Sequence, residues 1–461
     1  MRRLILNHLS WLVFVLVFSV SAVHAQTVTG AVTGEVTDPS GASVAGASVV
    51  ARNLDTGVDT PTTTNSAGLY RIEFLPIGHY QVTVKANGFT TATIPPFTLE
   101  VLQTPTFNVK LTVGNASTTV NVSAAAPILN TDNATLDSTF TSNTIQNFPL
   151  NGLDFSALTL YVPGAVDTGG TSGTTSFERS TYNTDTPSMN GNRAQANNYT
   201  LDGIDMNETY NNLISYSPAP EALQEVQVIT ADSPADYGNV NGAAVVSVLK
   251  SGTNHLHGSA YGFVQDYRYD ANSYSNGLSK TATTPATPVN PFSFAQFGGT
   301  IGGPILHNKL FFFADYLGSR WHQGGTGFAS VMTEAMRGGD FSVLLTGSNP
   351  IQLYDPLNNF APYKNNQGVP INSPVAKYLF ASQKYYPTPN AAPVDGIAQN
   401  NYKAPSRSYK ANNQGDAKLE YDPGAMDKIT AFYSMSTAYD GSTPVLAVSL
   451  DRKSTRLNSS H

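Results

Sequence analysis

The sequence contains no cysteine and little charge. Without Cys in its 461 residues, the chain can form no disulfide framework, no thiolate metal site and no lipoprotein anchor. Charged residues make up only 12%, with 25 Lys and Arg against 32 Asp and Glu, which gives a formal net charge of −7. Because nucleic-acid binding needs a concentrated positive surface, this composition argues against nucleic acid as a partner.

Long apolar runs are also missing after the first 25 residues. Arg2 and Arg3 precede an apolar run at 9–20, and residues 23–25 form a plausible cleavage site. The run is shorter than the ~20 residues that span a bilayer, so we predict residues 1–25 to be a signal peptide, the alternative being a retained anchor. The absence of later runs excludes a helical membrane protein but not a membrane β-barrel, whose strands alternate.

The last eleven residues differ from everything before them. Residues 451–461, DRKSTRLNSSH, carry three basic side chains in their first six positions and match one reading frame of a common sequencing-library adapter. We interpret them as an adapter artefact, the alternative being a natural basic tail, and expect the native protein to continue beyond residue 450.

Short alternating segments separated by turn signals fill residues 26–113. Tyr70, Ile72 and Phe74 share one face of a predicted strand, as do Tyr80 and Val82 in the next. This spacing predicts a β-sandwich. The order DPSGASVAGASVVARN, then NSAGLYRIEFLPIGHYQVTVKANGF, is similar to the carboxypeptidase regulatory-like domain, a transthyretin- or immunoglobulin-like sandwich. The resemblance implies a binding or spacing module without peptidase activity.

Residues 114–135 form a polar linker of small residues. Its segment TTVNVSA, residues 118–124, is similar to a TonB box, which an energy-transducing partner binds by β-augmentation. The resemblance implies a TonB-type partner in the periplasm. The candidate partner-binding residues are Thr118, Thr119, Val120, Asn121 and Val122. The alternative is an ordinary last strand of the sandwich.

Residues 136–250 resemble the plug domain of TonB-dependent receptors, a small α+β domain. The resemblance rests on an ordered series: NFPLNG, NGNR, YTLDGID, EALQEVQVIT and SPADYG, followed by a Val-rich strand. Asp202 and Gly203 resemble a tight turn, and we expect Arg193 to pair with Asp202 or Asp205 in a structural network. The alternative is a Ca²⁺ loop that includes Asn207 and Glu208, although its spacing departs from the EF-hand pattern.

From residue 251 to 450 the pattern fits the first strands of an incomplete transmembrane β-barrel. Tyr261, Phe263, Tyr267 and Tyr269 are predicted to share one face, since a wet lumen and a lipid face require alternation. The alternative is a soluble sandwich with Tyr-rich strands. Further strands are predicted at 294–303, 309–316, 416–421 and 428–436, with loops over 321–410.

The order of these three regions resembles the Oar-like TonB-dependent receptors. The resemblance extends through GGPILHNKLFFFADY, EAMRGGDFS and NNQGDAKLEYD. The predicted fold class is therefore mainly β: an immunoglobulin- or transthyretin-like sandwich, an α+β plug and an incomplete barrel.

Enzymatic constellations are missing. The sequence has no His-Glu-x-x-His, no Gly-x-Ser-x-Gly and no Gly-Lys pair for a Walker loop. His255 and His257 share one strand face and offer at most a weak metal pair, the alternative being a polar face. We therefore predict no catalytic, cofactor-binding or metal-binding residue, and no enzyme.

The predicted function is that of an outer-membrane receptor. The resemblance implies that the protein lies in the outer-membrane lipid of a Gram-negative bacterium, with its N-terminal domain in the periplasm. It also implies an unknown extracellular ligand, moved across the membrane through a periplasmic partner. The alternatives are a non-transporting surface or adhesion protein on the same scaffold and a secreted hydrolase with an accessory sandwich.

Overall fold

The structure is a computed structural model. It describes residues 28–114, 119–121, 135–148, 154–166, 187–209, 212, 214–235, 237–238, 240–274, 280, 288–346, 349–383, 386–392, 399–424, 427–443 and 445–446. The predicted signal peptide, the terminal segment 451–461, and Thr118 and Val122 of the linker lie outside the described residues.

The N-terminal domain is a sandwich of two sheets, as the alternating pattern predicts. One sheet contains β1 (Thr29–Thr37), β4 (Leu69–Pro76) and β8 (Val109–Lys110), in the order β4-β1-β8. The other contains β2 (Ser48–Asn53), β3 (Asp59–Thr63), β5 (Gly78–Lys85), β6 (Thr91–Thr93), β7 (Phe97–Leu99) and β9 (Thr119–Asn121). Its order is β3-β2-β5-β6-β9, with β7 paired to β5. The apolar core between the sheets includes Val32, Val49, Ile72, Tyr80 and Val82.

One predicted core position of the sandwich is wrong. Phe74 does not share the buried face of Tyr70 and Ile72; its side chain is 69% exposed. The pairing of β4 with β1 shifts register at this point, and Phe74 has a left-handed φ of 58°. Because a β-bulge inserts one residue, the buried position passes to Leu75.

Residues 136–250, predicted to form a plug, contain a five-stranded sheet, and we call this region the plug domain. Its strands are β10 (Leu136–Thr141), β13 (Asn198–Leu201), β14 (Ile204–Asp205), β15 (Leu223–Ala231) and β16 (Ala244–Leu249), in the order β10-β15-β16-β13-β14. Every residue of β16 is buried, as its Val-rich sequence predicts. This domain also contains helix α1 (Ser142–Asn147), 3₁₀ helices at Phe155–Tyr161, Ala194–Ala196 and Pro220–Ala222, and the pair β11 (Ala165–Val166) and β12 (Ser188–Met189).

The remaining described chain contains a five-stranded sheet of long strands. They are β17 (His257–Asp266), β18 (Phe292–Leu306), β19 (Leu310–Ala329), β22 (Tyr402–Tyr421) and β23 (Ile429–Ser442), in the order β17-β18-β19-β22-β23. Among the described residues these strands do not close into a barrel. The segment between β19 and β22 carries α2 (Glu334–Arg337), α3 (Pro374–Phe380) and the pair β20 (Tyr354–Asp355) and β21 (Ala361–Pro362).

Two predictions about these strands are wrong. The loop predicted over 321–410 is shorter, because β19 runs on to Ala329 and β22 begins at Tyr402; the Gly-rich and polar ends of these strands hide their alternation. Tyr267 and Tyr269 are not in the first strand. It ends at Asp266, whose carboxylate accepts a hydrogen bond from the Arg268 backbone N–H at 3.0 Å and so begins a turn.

The chain divides into two compact units. The first comprises residues 1–261, 298–317 and 414–436, and the second comprises 262–297, 318–413 and 437–461. In the second unit, the Arg337 guanidinium lies 5.3 Å from the centre of the Phe380 ring and 5.2 Å from that of Tyr386. In the described residues, no helix has the length and apolarity to span a bilayer.

Candidate functional site

Strand β22 presents a row of buried polar side chains in the first compact unit. Gln414, Asp416, Lys418 and Glu420 are each at most 5% exposed, whereas Leu419, between two of them, is 48% exposed. Because successive side chains of a strand point to opposite faces, one face of β22 is polar and covered while the other is open. We call these four residues the β22 polar row.

Lys418 forms an ion pair with the plug domain. Its Nζ lies 3.0 Å from Asp202 Oδ2, and both side chains are at most 5% exposed. The same ammonium lies 3.5 Å from the carbonyl oxygen of Leu249, which is the last residue of β16. The Leu249 backbone N–H donates to Asp202 Oδ1 at 3.1 Å. The carboxylate is therefore held on one side by the plug sheet and on the other by β22.

A tight hairpin places Asp202 at this point. Leu201 and Ile204 are paired, and the two residues between them have left-handed φ angles of 47° at Asp202 and 82° at Gly203. Two positive φ angles in a two-residue loop define the turn type in which Asp-Gly is preferred. The sequence YTLDGID therefore directs the carboxylate out of the plug sheet.

The charges around this pair balance. Burial raises the pKa of Asp202, and the neighbouring Lys418 ammonium opposes that rise. Glu420 Oε1 lies 3.7 Å from Lys418 Nζ and 3.1 Å from Lys428 Nζ, so two carboxylates face two ammonium groups. Removing one member of such a buried set leaves an uncompensated charge, which is strongly destabilising.

The other two residues of the polar row contact the plug loop that precedes β15. The Tyr216 hydroxyl donates to Asp416 Oδ1, and Gln414 Nε2 donates to the Ser217 carbonyl oxygen at 3.2 Å. Ser217 Oγ in turn donates to Asp154 Oδ1 at 2.8 Å. The Asp154 carboxylate also accepts from the Ser156 N–H and so caps the 3₁₀ helix at Phe155–Tyr161. The whole row thus holds the plug through hydrogen bonds and charge.

The residues predicted for a plug network are only partly together. Asp202 and Gly203 form the turn, while Asp205 is exposed and accepts a hydrogen bond from the Asn207 N–H at 2.7 Å. Arg193 is exposed, precedes the 3₁₀ helix at Ala194–Ala196, and forms no salt bridge with either Asp among the described residues. The cationic partner of Asp202 is Lys418, which was not predicted; the alternation of polar residues in NNQGDAKLEYD was its only sequence signal.

The described part of the candidate partner-binding segment lies at the edge of one sandwich sheet. Thr119, Val120 and Asn121 form β9, which pairs in parallel with β6 at Thr91–Thr93. The pairing uses backbone groups of the kind that would also bind a partner strand. β9 is therefore in the extended conformation that such recognition requires.

The histidine pair and the acidic cluster do not converge on a common point. His257 Nδ1 lies 3.0 Å from the carbonyl oxygen of His255, so this ring faces its own backbone. In the ranges that the structure describes, no three His, Asp or Glu side chains are arranged to hold a metal ion.

Two families match separate parts of the chain. Residues 31–112 match the carboxypeptidase regulatory-like domain, and residues 248–460 match the outer membrane β-barrel domain. The chain is also 25% identical over 261 residues to the TonB-dependent transporter Oar of Myxococcus xanthus. The chain is therefore similar to the Oar-like TonB-dependent receptors. It is an outer-membrane protein that is mostly β, with an N-terminal sandwich-like domain and barrel strands.

The extent of these matches is limited. The alignment with Oar covers 55% of this chain and 23% of the Oar sequence, so the chain spans about a quarter of that relative. Among solved structures, the siderophore receptor PirA of Acinetobacter baumannii is 14% identical with a TM-score of 0.34, over 67% of this chain and 32% of PirA. The outer membrane transporter YddB of Escherichia coli is 13% identical with a TM-score of 0.37, over 66% of this chain and 33% of YddB.

Proposed function

We propose that this Oar-like receptor binds an extracellular ligand and moves it across the outer membrane, driven through a TonB-type protein in the periplasm. The observation that carries the proposal is the β22 polar row, in which Lys418 is paired with Asp202 of the plug. A domain held against a barrel wall by polar contacts is suited to be displaced and reseated.

The chemistry of the contact supports displacement. When the plug moves away from β22, carboxylates and ammonium groups regain water, which offsets much of the lost pairing. Separating an apolar interface of similar size would expose surface at roughly 25 cal/mol per Å² with no such return. The contact is therefore specific in register yet separable.

The proposed point of traction is the segment Thr118–Val122, between the sandwich and the plug. The 461 residues contain no cysteine, so a cysteine introduced there has no competitor among them. With Val120→Cys in the full-length protein and a cysteine in the C-terminal domain of the TonB-type partner, we expect a disulfide-linked complex. Val113→Cys is the matched control, since Val113 is 75% exposed but lies before the segment.

Transport gives the second test. Deleting residues 118–124 should abolish energised transport while ligand still binds at the cell surface. Unchanged transport after the deletion, or equal crosslinking at Val120→Cys and Val113→Cys, would reject this traction point. Ligand binding at the cell surface by the intact protein, with no transport, would favour a surface or adhesion role.

A further inference from the structure

The sandwich domain rests on one face of the plug sheet, within the first compact unit. A small apolar cluster joins them; its buried members are Val101, Ile229, Tyr237, Ala244, Val246 and Val248. Val28, Ile77 and Leu102 of the sandwich and Val240 of the plug pack on it, partly buried. We call this cluster and its polar contacts the docking interface. It is much smaller than the core of either domain.

The sandwich contributes a strained turn to the docking interface. Leu102 has a φ of 55°, a left-handed conformation that a leucine rarely adopts. The turn is closed by its own ends: the Glu100 N–H donates to Gln103 Oε1 at 3.1 Å, and the Gln103 N–H donates to the Glu100 carbonyl at 3.3 Å. Strain of this kind persists where the surroundings enforce it. The turn presents the backbone N–H of Val101 to the plug.

A buried carboxylate of the plug receives that N–H. Glu225 of β15 is 5% exposed, and its Oε1 accepts from the Val101 N–H at 2.9 Å. The pKa of Glu225 is raised to about 7, mainly by burial; the Val101 N–H opposes this rise, and the carboxylates of Glu100 and Asp137 add to it. The residue paired with Glu225 on β16 is the apolar Val248.

The linker at residues 114–135 is tied to an edge strand of each domain. β9, within it, is the edge strand of one sandwich sheet, and β10, after it, is the edge strand of the plug sheet. β10 pairs with β15, where Thr141 is opposite Glu225. The two domains are connected twice, through the linker and through the docking interface. A pull on the linker therefore also acts on the docking interface. The docking interface bears part of that load.

We propose that the sandwich domain reversibly restrains the plug. The hydrogen bond from the Val101 N–H to Glu225 holds the two domains together. This inference rests on the proposed function, because the load comes from the pull on the linker. The sandwich then has a role beyond spacing: while it is docked, β15 and its edge neighbour β10 are held in place. Undocking frees them.

Protonation of Glu225 sets how strongly the sandwich docks on the plug. An undocked Glu225 in water has its ordinary pKa of 4.5, whereas burial raises the docked pKa to about 7. The docked state therefore binds the proton more tightly, so docking is strongest below pH 4.5 and weakens as pH rises to 7. The protonated carboxyl keeps an oxygen that accepts from Val101. Between pH 5 and pH 8 the docking constant should fall on the order of 50–100-fold.

Hydrogen exchange of the full-length protein tests this directly. Protection of the peptide at residues 97–104, corrected for the intrinsic pH dependence of exchange, should fall between pH 5 and pH 8. Glu225→Gln keeps an accepting oxygen but cannot ionise, so its protection should not vary with pH. Glu225→Ala has no acceptor and should show low protection throughout. Unchanged exchange at residues 48–53 confirms that the sandwich is folded in each variant.

Two outcomes would overturn the proposal. One is protection that does not change with pH in the unsubstituted protein; the other is the same pH slope in Glu225→Gln. The assay needs neither ligand nor TonB-type partner, so its failure would leave the transport proposal standing. Conversely, failure of Val120→Cys to crosslink specifically would reject the traction point without changing the exchange result.

Discussion

The sandwich core and the contact between plug and β22 are held together by opposite means. In the sandwich, apolar side chains such as Val49, Tyr80 and Val82 are at most 1% exposed and face each other across two sheets. Against β22, the plug is held by charge and hydrogen bonds, with Lys418 and Asp202 at the centre. The apolar core of the sandwich favours a contact that stays closed, because exposing apolar side chains to water is unfavourable and is not offset by new hydrogen bonds. The polar contact with β22 favours register and reversibility.

The largest effect should come from breaking the polar contact on one side only. Lys418→Met removes the ammonium and leaves Asp202 buried without its partner. We expect this to cost about 3–5 kcal/mol of the free energy that holds the plug on β22. Hydrogen exchange of the Leu249 amide, which donates to Asp202, measures this cost. Leu419→Met, on the exposed face of the same strand, is the control. A cost below ~1 kcal/mol would mean that the pair does not hold the plug.

A cavity in the sandwich core should have a comparable effect that stays within the sandwich. Leu111 is 1% exposed, and Leu111→Ala should lower the free energy of unfolding of this domain by about 2–5 kcal/mol. Leu54→Ala, at a side chain 43% exposed, should cost far less. Hydrogen exchange during thermal unfolding reports the stability of the sandwich in β2 and that of the plug in β16, so the two domains can be compared. Equal loss of protection in both strands would show that the two regions are not independent.

A backbone substitution should have an intermediate effect at the turn that aims Asp202. Gly203 has a φ of 82°, so Gly203→Ala strains the turn by about 1–2 kcal/mol. Gly238→Ala adds a Cβ with no atom within 4 Å and no positive φ, and should be close to neutral. Chemical denaturation measures the free energy of unfolding of both variants, and that of Gly203→Ala should be the lower. Equal stability would mean that the turn can relax without moving the carboxylate.

The smallest effect should come from an exposed ion pair of the sandwich. Arg52 and Asp59 are 3.8 Å apart, with side chains 57% and 51% exposed. Arg52→Ala should therefore change stability by less than about 1 kcal/mol, since water screens such pairs. Salt titration of the melting temperature checks this. A loss as large as that of Lys418→Met would remove the distinction between buried and exposed charge on which the comparison depends.

The sandwich was largely predictable from sequence, and the plug contact was not. Alternation places Tyr80 and Val82 in the core because strand geometry is local. Phe74 was misplaced because a bulge shifts the register without changing the pattern of residue types. Asp202 and Gly203 were predicted as a turn from two adjacent residues. Lys418 lies more than two hundred positions away, and no local pattern states which side chain a barrel strand will bring to that turn.

The most direct test of the account is a double-mutant cycle on Asp202→Asn and Lys418→Met. Asn keeps an oxygen for the Leu249 N–H but carries no charge, so the double variant leaves no unpaired ion. The loss in the free energy that holds the plug on β22, measured by exchange of the Leu249 amide, should be much smaller in the double variant than the sum of the two single losses, with a coupling of about 1–3 kcal/mol. Additive effects would contradict the claim that this buried pair seats the plug on β22.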